Sequence, residues 1–110
     1  MEWKTKVVQQ MKAVNQRDAI HYIATRQGFK ASALQGNGNY LGSGRLDQEE
    51  IAKLSKDMAS LDYIVYSYGT PIAWHTSDGW YVVEQKFSVT TSKHQTFTRR
   101  AIAESLEGAI

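Results

Sequence analysis

The chain has 110 residues, no cysteine, and a net charge of +2 from 13 basic and 11 acidic side chains. This length supports one domain around one hydrophobic core, and the lack of cysteine excludes disulfides and thiolate metal sites. The weak, well-mixed charge does not by itself indicate nucleic-acid binding. No apolar run approaches the roughly 20 residues of a membrane helix, and the N-terminus lacks the apolar segment of a secretory signal. We therefore expect a cytoplasmic protein without a membrane partner.

The first 27 residues carry apolar side chains at helical spacing, so residues 2–27 are predicted to be helical. Asn15 can cap a second helix with Asp18 in its first turn, or one long helix can run through the whole segment. In both cases Gly28 is the expected stop, because glycine readily adopts the left-handed conformation that ends helices. Pairing of two copies through this helical part is a further option.

A glycine-rich segment follows at residues 28–46, which hold five of the eight glycines. It predicts a short strand at about residues 29–34 and another near Tyr40, with Asn37-Gly38 as a turn. It has neither a GxGxxG nor a GxxxxGK[ST] pattern, so it is not a recognisable nucleotide-binding loop. We predict no cofactor.

The middle helix is predicted at about residues 48–60. Asp47 and Glu50 have the spacing of a capping box, in which the aspartate caps the first-turn amides and the glutamate reaches back. The apolar residues recur at helical spacing and predict one buried face. That face comprises Ile51, Leu54, Met58 and Leu61.

A period of two begins at Tyr63 and predicts a central β-hairpin at about residues 62–90. Pro71 lacks an amide hydrogen, so we expect a bulge, a bend or an edge position in the first strand. Asp78-Gly79 is a typical hairpin turn. The returning strand is predicted to run from Trp80 to Val89.

The last helix is predicted at about residues 93–107. The hydroxyl run at residues 90–92 precedes it, and two interpretations stay open. One hydroxyl can cap the helix, or the helix start can bind an anion with help from Lys93, His94 and Arg99. The three histidines of the chain show no metal-ligand spacing such as HExxH, so no metal site is predicted.

These elements predict a single α+β domain over residues 1–110, with a helical N-terminal part (1–27) and a sheet-containing core (28–110). A small antiparallel sheet, built on the central hairpin, would be covered by the N-terminal, middle and C-terminal helices.

Four parts of the sequence carry a family resemblance. They are Gly44-Arg45-Leu46, the run VYSYGTPIAW at residues 65–74, Trp80, and the run FSVTTSKHQ at residues 87–95. Over about residues 29–96 this order resembles a family of small, mostly uncharacterised proteins encoded by actinobacterial phages and some bacteria. The resemblance implies a phage or prophage origin and a role inside the host cell. It implies no particular activity.

The run TTSKHQTFT at residues 90–98 is also similar to the C-terminal strand of barnase-type ribonucleases, in which a Thr-Thr pair precedes a catalytic histidine. That resemblance would imply Glu84 as base, His94 as acid, and Arg45 or Arg99 on the phosphate. The histidine is displaced by one position, and the preceding strands do not match. A barnase-like ribonuclease is therefore the second alternative.

The function predicted first is non-catalytic binding of a host macromolecule, such as masking of a host protein or inhibition of a host defence. A nucleic-acid-binding module acting through residues 90–100 is the first alternative, because tyrosine and arginine serve both protein interfaces and nucleic-acid contacts. Two tyrosines, at positions 66 and 68, can equally belong to the core. The candidate binding residues are Arg45, Tyr66, Tyr68, Thr91, Ser92, His94 and Arg99.

Overall fold

A six-stranded sheet carries helices on both of its faces in the computed structural model, which describes residues 12–108. The predicted α+β class is confirmed. The sheet is larger than expected, with strand order β1-β2-β3-β4-β5-β6, and it is mixed, because β1 and β2 pair in parallel while all other pairs are antiparallel. The strands are β1 (Lys12–Ala13), β2 (Phe29–Ala31), β3 (Leu34–Asn37), β4 (Tyr63–Ser67), β5 (Thr70–Thr76) and β6 (Gly79–Val82). The helices are α1 (Gln16–Ala24), α2 (Gln48–Asp57) and α3 (Val89–Gly108).

The N-terminal part is not one long helix. Lys12 and Ala13 form an edge strand, and Asn15 then begins α1, its side-chain oxygen accepting from the Asp18 amide at 2.9 Å. The extended backbone of Asn15 (φ −82°, ψ 166°) prevents a continuous helix across this point. Gly28 is not the left-handed residue after α1, because Arg26 takes that conformation at φ 55°. Residues 2–11, on which the rest of the predicted helix and the pairing of two copies depend, lie outside the described residues.

The glycine-rich segment forms its hairpin earlier than predicted. The turn falls on Ser32-Ala33, where Ser32 has φ 57°, and Asn37 ends β3 instead of opening a turn between strands. The Asn37 side chain accepts from the Asn39 amide at 2.7 Å, which turns the chain out of the sheet. Tyr40 is therefore exposed in the connection to α2 and not in a strand.

The central region contains two hairpins where one was predicted. The run from Tyr63 to Thr76 reverses at Tyr68-Gly69, a two-residue turn in which both residues have positive φ (51° and 79°), as type I′ requires. The expected bulge is present in β5, next to Pro71. Val65 pairs with Ala73 and Tyr66 with Pro71, so one β5 residue is left over opposite β4.

The returning strand is shorter than predicted. β6 ends at Val82, and residues 83–88 leave the sheet. The Gln95 side-chain amide of α3 donates to the carbonyls of Val83 (2.9 Å) and Gln85 (3.2 Å). Because these carbonyls bind a helix side chain instead of a neighbouring strand, the ladder does not continue.

The alternation along β4 distributes side chains to two cores. Tyr63 and Val65 face α1 and α3, whereas Ile64 and Tyr66 face α2. All four are buried, as expected for a sheet covered on both faces. The core under α1 and α3 also contains Ala19, Ile23, Phe29, Leu34 and Ala101, and the core under α2 contains Leu46, Leu54, Trp74 and Val83.

Helix α2 begins as predicted, with the Asp47 carboxylate accepting from the Glu50 amide at 2.9 Å. Glu50 does not complete the capping box. Its carboxylate instead accepts from the Tyr81 hydroxyl at 2.6 Å and the Glu84 amide at 3.2 Å. Met58 is 36% exposed, since the chain tightens into a 3-10 turn at Met58–Ser60 and leaves the helical stripe. Within residues 12–108 no helix is both long and apolar enough to span a membrane.

Candidate functional site

Three segments meet at one end of the sheet: the loop before α2, the β4–β5 turn, and the start of α3. Gly44 lets the loop approach the turn, because a Cβ at this position would lie 2.6 Å from Thr70 Cα and 2.8 Å from the Gly69 carbonyl oxygen. The Arg45 amide then donates to Thr70 Oγ1 at 2.9 Å. This contact places the Arg45 side chain beside the hairpin turn.

Gln85 ties the segment after β6 to the same loop. Its side-chain nitrogen donates to the Arg45 carbonyl at 3.0 Å, and its side-chain oxygen accepts from the Asp47 amide at 2.8 Å. Together with the contacts of Gln95 described above, these bonds hold residues 83–88 between α2 and α3. The position of Phe87 and Ser88 is thereby fixed.

Helix α3 starts at Val89, four residues earlier than predicted, and the hydroxyl run at residues 90–92 lies inside its first turns. None of these three residues is the cap. Ser88 takes that role, since its hydroxyl accepts from the Thr91 amide at 3.3 Å and its carbonyl from the Ser92 amide at 2.9 Å. The hydroxyls of the run are therefore available for other contacts.

A buried hydroxyl–imidazole cluster joins α3 to the end of β4. Ser67 Oγ and His94 Nδ1 share a hydrogen bond of 2.6 Å, and the Ser67 and Thr91 hydroxyls are bonded at 3.2 Å. All three side chains are buried. Burial lowers the pKa of His94, because the low-dielectric surroundings disfavour the imidazolium. His94 is therefore neutral near pH 7.

Tyr68 covers this cluster from outside. Its ring stacks on the His94 ring with centroids 6.1 Å apart and planes at 29°. The residue is nonetheless 63% exposed, so much of the tyrosine faces solvent. An aromatic ring supported from behind and open in front can contact a partner without first being rearranged.

A cavity of about 290 Å³ opens beside Tyr68, and we refer to it as the Tyr68 cavity. Its lining contains one cation, two aromatic rings and several hydroxyls, and no carboxylate. Such a lining suits a partner that is negatively charged or rich in hydrogen-bond acceptors. The lining residues are Arg45, Ser67, Tyr68, Thr70, Phe87, Ser88, Thr90 and Thr91.

The predicted binding residues separate into three groups. Arg45, Tyr68 and Thr91 line the Tyr68 cavity, and His94 lies beneath Tyr68. Ser92 and Arg99 line another cavity, of about 230 Å³.

Tyr66 alone forms the third group, because its side chain is fully buried under the loop before α2 and lines neither cavity. Its hydroxyl donates to the Asn39 carbonyl and accepts from the Leu41 amide, both at 2.7 Å. Burial raises the pKa of Tyr66 to about 12. This tyrosine holds the loop in place and is not accessible to a partner.

The groups needed for a barnase-type reaction do not line one cavity. Glu84 lies with Arg99 in the cavity of about 230 Å³, whereas Arg45 lines the Tyr68 cavity. His94 is buried with Nδ1 engaged by Ser67. Within the described part of the chain, no group of three or more acidic or histidine side chains is placed to hold a metal ion.

Sequence reasoning missed Ser67, Thr70 and Ser88, which lie on three different segments. One local signal was present. The polar residues Thr91, His94, Gln95 and Thr98 follow the i, i+3, i+4, i+7 spacing of a single helix face, and all four are buried. Buried polar side chains of this kind require polar partners. Thr91 and His94 find theirs in Ser67 at the end of β4, Gln95 in the carbonyls of residues 83 and 85, and Thr98 in a carbonyl of its own helix.

Comparison with known proteins identifies a family. The model of a family of unknown function, DUF8033, matches residues 10–101. No curated protein and no solved structure shows significant similarity to the chain. The family match covers the whole sheet, α1, α2 and the part of α3 that contacts Ser67. The chain therefore belongs to the DUF8033 family, whose function is unknown.

Proposed function

We propose that this chain acts by binding a host macromolecule without catalysis, through the surface around the Tyr68 cavity. The observation that carries the proposal is the state of Tyr68. This residue combines a left-handed backbone at φ 51° with an overall exposure of 63%. Left-handed backbone is unfavourable for a bulky residue, and such outliers concentrate at functional sites.

Other residue types would adopt the backbone conformation of this turn position at a lower energetic cost. Type I′ turns favour asparagine or glycine at the position of Tyr68, because both tolerate positive φ. A tyrosine there costs on the order of 1 kcal/mol in the backbone. An exposed ring recovers little of that cost by burial, so a role in contacting a partner accounts for its presence.

The surroundings of Tyr68 support binding over catalysis. The lining of the cavity contains no carboxylate that could act as a base or orient His94. The His94 Nδ1 atom is already hydrogen-bonded to Ser67, whose side chain is almost fully buried. Arginine and tyrosine, in contrast, are the residue types enriched at binding hot spots.

The sequence resemblance suggests a phage or prophage origin, and this origin fits the proposed binding of a host macromolecule. A small protein that acts inside a bacterial host can work by masking one host component, for example a defence protein. Membership of a family of unknown function is compatible with this role.

The test is capture of a partner from an actinobacterial host lysate by the immobilised protein and by two variants. Tyr68→Asn removes the ring and suits the turn, so this variant should fold and lose the captured partner. Met58→Ala removes an exposed apolar side chain on another part of the surface, and it should retain the partner. Equal capture by all three proteins would overturn the proposal.

A further inference from the structure

We propose that the partner is a single-stranded nucleic acid, bound along a groove that starts at the Tyr68 cavity and follows the N-terminal half of α3. This inference rests on the proposed binding function and specifies the class of partner. Adjacent cavities, a basic lining and an exposed ring at one end support it.

The groove consists of three cavities that share side chains. The Tyr68 cavity shares Phe87 with a second cavity of about 410 Å³, which Val89 and Lys93 also line. The second cavity shares Ser92 and Thr96 with a third, of about 230 Å³. The three cavities are therefore adjacent and follow one another along the surface from the hairpin turn to α3.

The charge along this groove is strongly one-sided. Four basic side chains line it against a single carboxylate, that of Glu84, although the whole chain has 13 basic and 11 acidic residues. Within residues 12–108 none of these four cations forms an ion pair with a carboxylate. All four are exposed, so they remain available to phosphates. They are Arg45, Lys86, Lys93 and Arg99.

The exposed ring of Tyr68 favours a nucleic acid over an acidic peptide. Tyr68 is supported by His94 on one side and open on the other, whereas Phe87, which lines the first two cavities, is half-buried against the cores. Nucleobases stack on such rings irrespective of sequence. In a duplex the bases are already stacked on one another, whereas an unpaired strand can offer a base to Tyr68. The groove therefore suits a single strand.

The experiment measures fluorescence anisotropy of a labelled 12-nucleotide single strand with the full chain at several salt concentrations. We expect affinity to fall with salt, with a log–log slope of about −2 to −3 if three or four phosphates are neutralised. Arg45→Gln should make this slope shallower by about 0.7, because one phosphate contact is lost. Tyr68→Asn should weaken binding about tenfold through the loss of one stacked base.

Arg17→Gln is the matched control, since Arg17 is an exposed arginine on α1 that lines a different cavity. It removes the same charge as Arg45→Gln and should change the salt slope little. Equal changes in the salt slope for the two substitutions would mean that the strand is attracted by the overall charge of the protein. That result would contradict binding along the groove. Thermal unfolding of each variant confirms that the compared proteins are folded.

Three further results distinguish a failure of this inference from a failure of the proposed function. If no strand binds even at low salt, while Tyr68→Asn still loses its partner from lysate, the nucleic-acid inference fails and the binding function stands. If poly-glutamate binds as tightly as the oligonucleotide with the same sensitivity to Tyr68→Asn, the groove serves an acidic protein and the inference again fails. If Tyr68→Asn affects neither oligonucleotide nor lysate binding, both proposals fail.

Discussion

The α2 side of the sheet and the end around Tyr68 use polar residues in different ways. Under α2, the Glu50 carboxylate is matched by the Tyr81 hydroxyl, and the buried Trp74 donates its ring N–H to Asp57 at 2.9 Å. These polar groups find partners within the protein. At the other end, Tyr68 and Arg45 are directed towards solvent beside a cavity.

The pKa of Asp57 illustrates the α2 side. Burial acts to raise it, but the hydrogen bonds from Trp74 and Lys53, with the positive charge of Lys53, hold the pKa below its ordinary value. The carboxylate is thus stabilised in its charged form by the fold. The polar groups on the α2 side thus maintain the structure, whereas we propose that the Tyr68 end serves a partner.

The largest effect on stability should come from disrupting the close contact between the loop before α2 and the β4–β5 turn, which forms the Tyr68 end. Gly44→Ala places a Cβ against the backbone of Thr70 and Gly69 at a position with φ 53°. We expect a loss of about 2–4 kcal/mol in the free energy of unfolding, from overpacking and positive φ together. Denaturant unfolding measures it.

Gly69→Ala is the control for that substitution. Gly69 also has positive φ, at 79°, but a Cβ there would meet nothing within 4 Å. Its smaller loss in the free energy of unfolding measures the cost of a side chain at positive φ alone. The difference between the two variants then measures the cost of crowding the contact between the loop and the turn. Equal losses would show that the contact between the loop and the turn contributes nothing.

On the α2 side, Tyr81→Phe removes the hydroxyl that donates to the Glu50 carboxylate. We expect a loss of about 1.5–3 kcal/mol, because a hydrogen bond to a charged, buried group is removed. Tyr22→Phe is the matched control, since the Tyr22 hydroxyl has no hydrogen-bond partner among residues 12–108, and it should cost much less. A Tyr81→Phe variant as stable as wild type would contradict the account of this side.

The buried His94 predicts a pH dependence. Because burial lowers its pKa from the ordinary 6.5, the unfolded chain binds a proton more readily than the folded protein. Its contribution to stability is therefore complete above about pH 6.5 and is lost as the pH falls through the folded pKa. Thermal unfolding between pH 7.5 and 5 should show this loss in the wild type and a weaker one in His94→Asn.

His21, which is exposed on α1, supplies the comparison for the pH experiment. The His21→Gln variant should lose stability with falling pH as the wild type does. If His94→Asn also follows the wild type, the hydroxyl–imidazole cluster is not the source of the pH dependence.

Local signals made several elements predictable from the sequence. Asn15 and Asp47 each cap a helix through contacts three residues away, so their roles could be inferred from neighbouring residues. The alternation from Tyr63 onward identified the core strands in the same way. The α+β class followed from these elements.

Other features depend on contacts between distant parts of the chain. The hairpin turn at Tyr68-Gly69 was missed, because a tyrosine is not a typical residue for its first position. Ser67 and His94 are 27 residues apart, and nothing local to either one indicates the other. Glu50 has the spacing of a capping box, yet it bonds to Tyr81, which is 31 residues away.

The most direct test of the central claim compares the stability and the partner binding of Tyr68→Asn with those of the wild type. If the Tyr68 ring serves a partner and not the fold, the variant unfolds at the same or a slightly higher denaturant concentration, because asparagine suits the turn. It then also fails to retain the partner. A variant that is clearly destabilised but binds its partner as tightly as the wild type would contradict the claim.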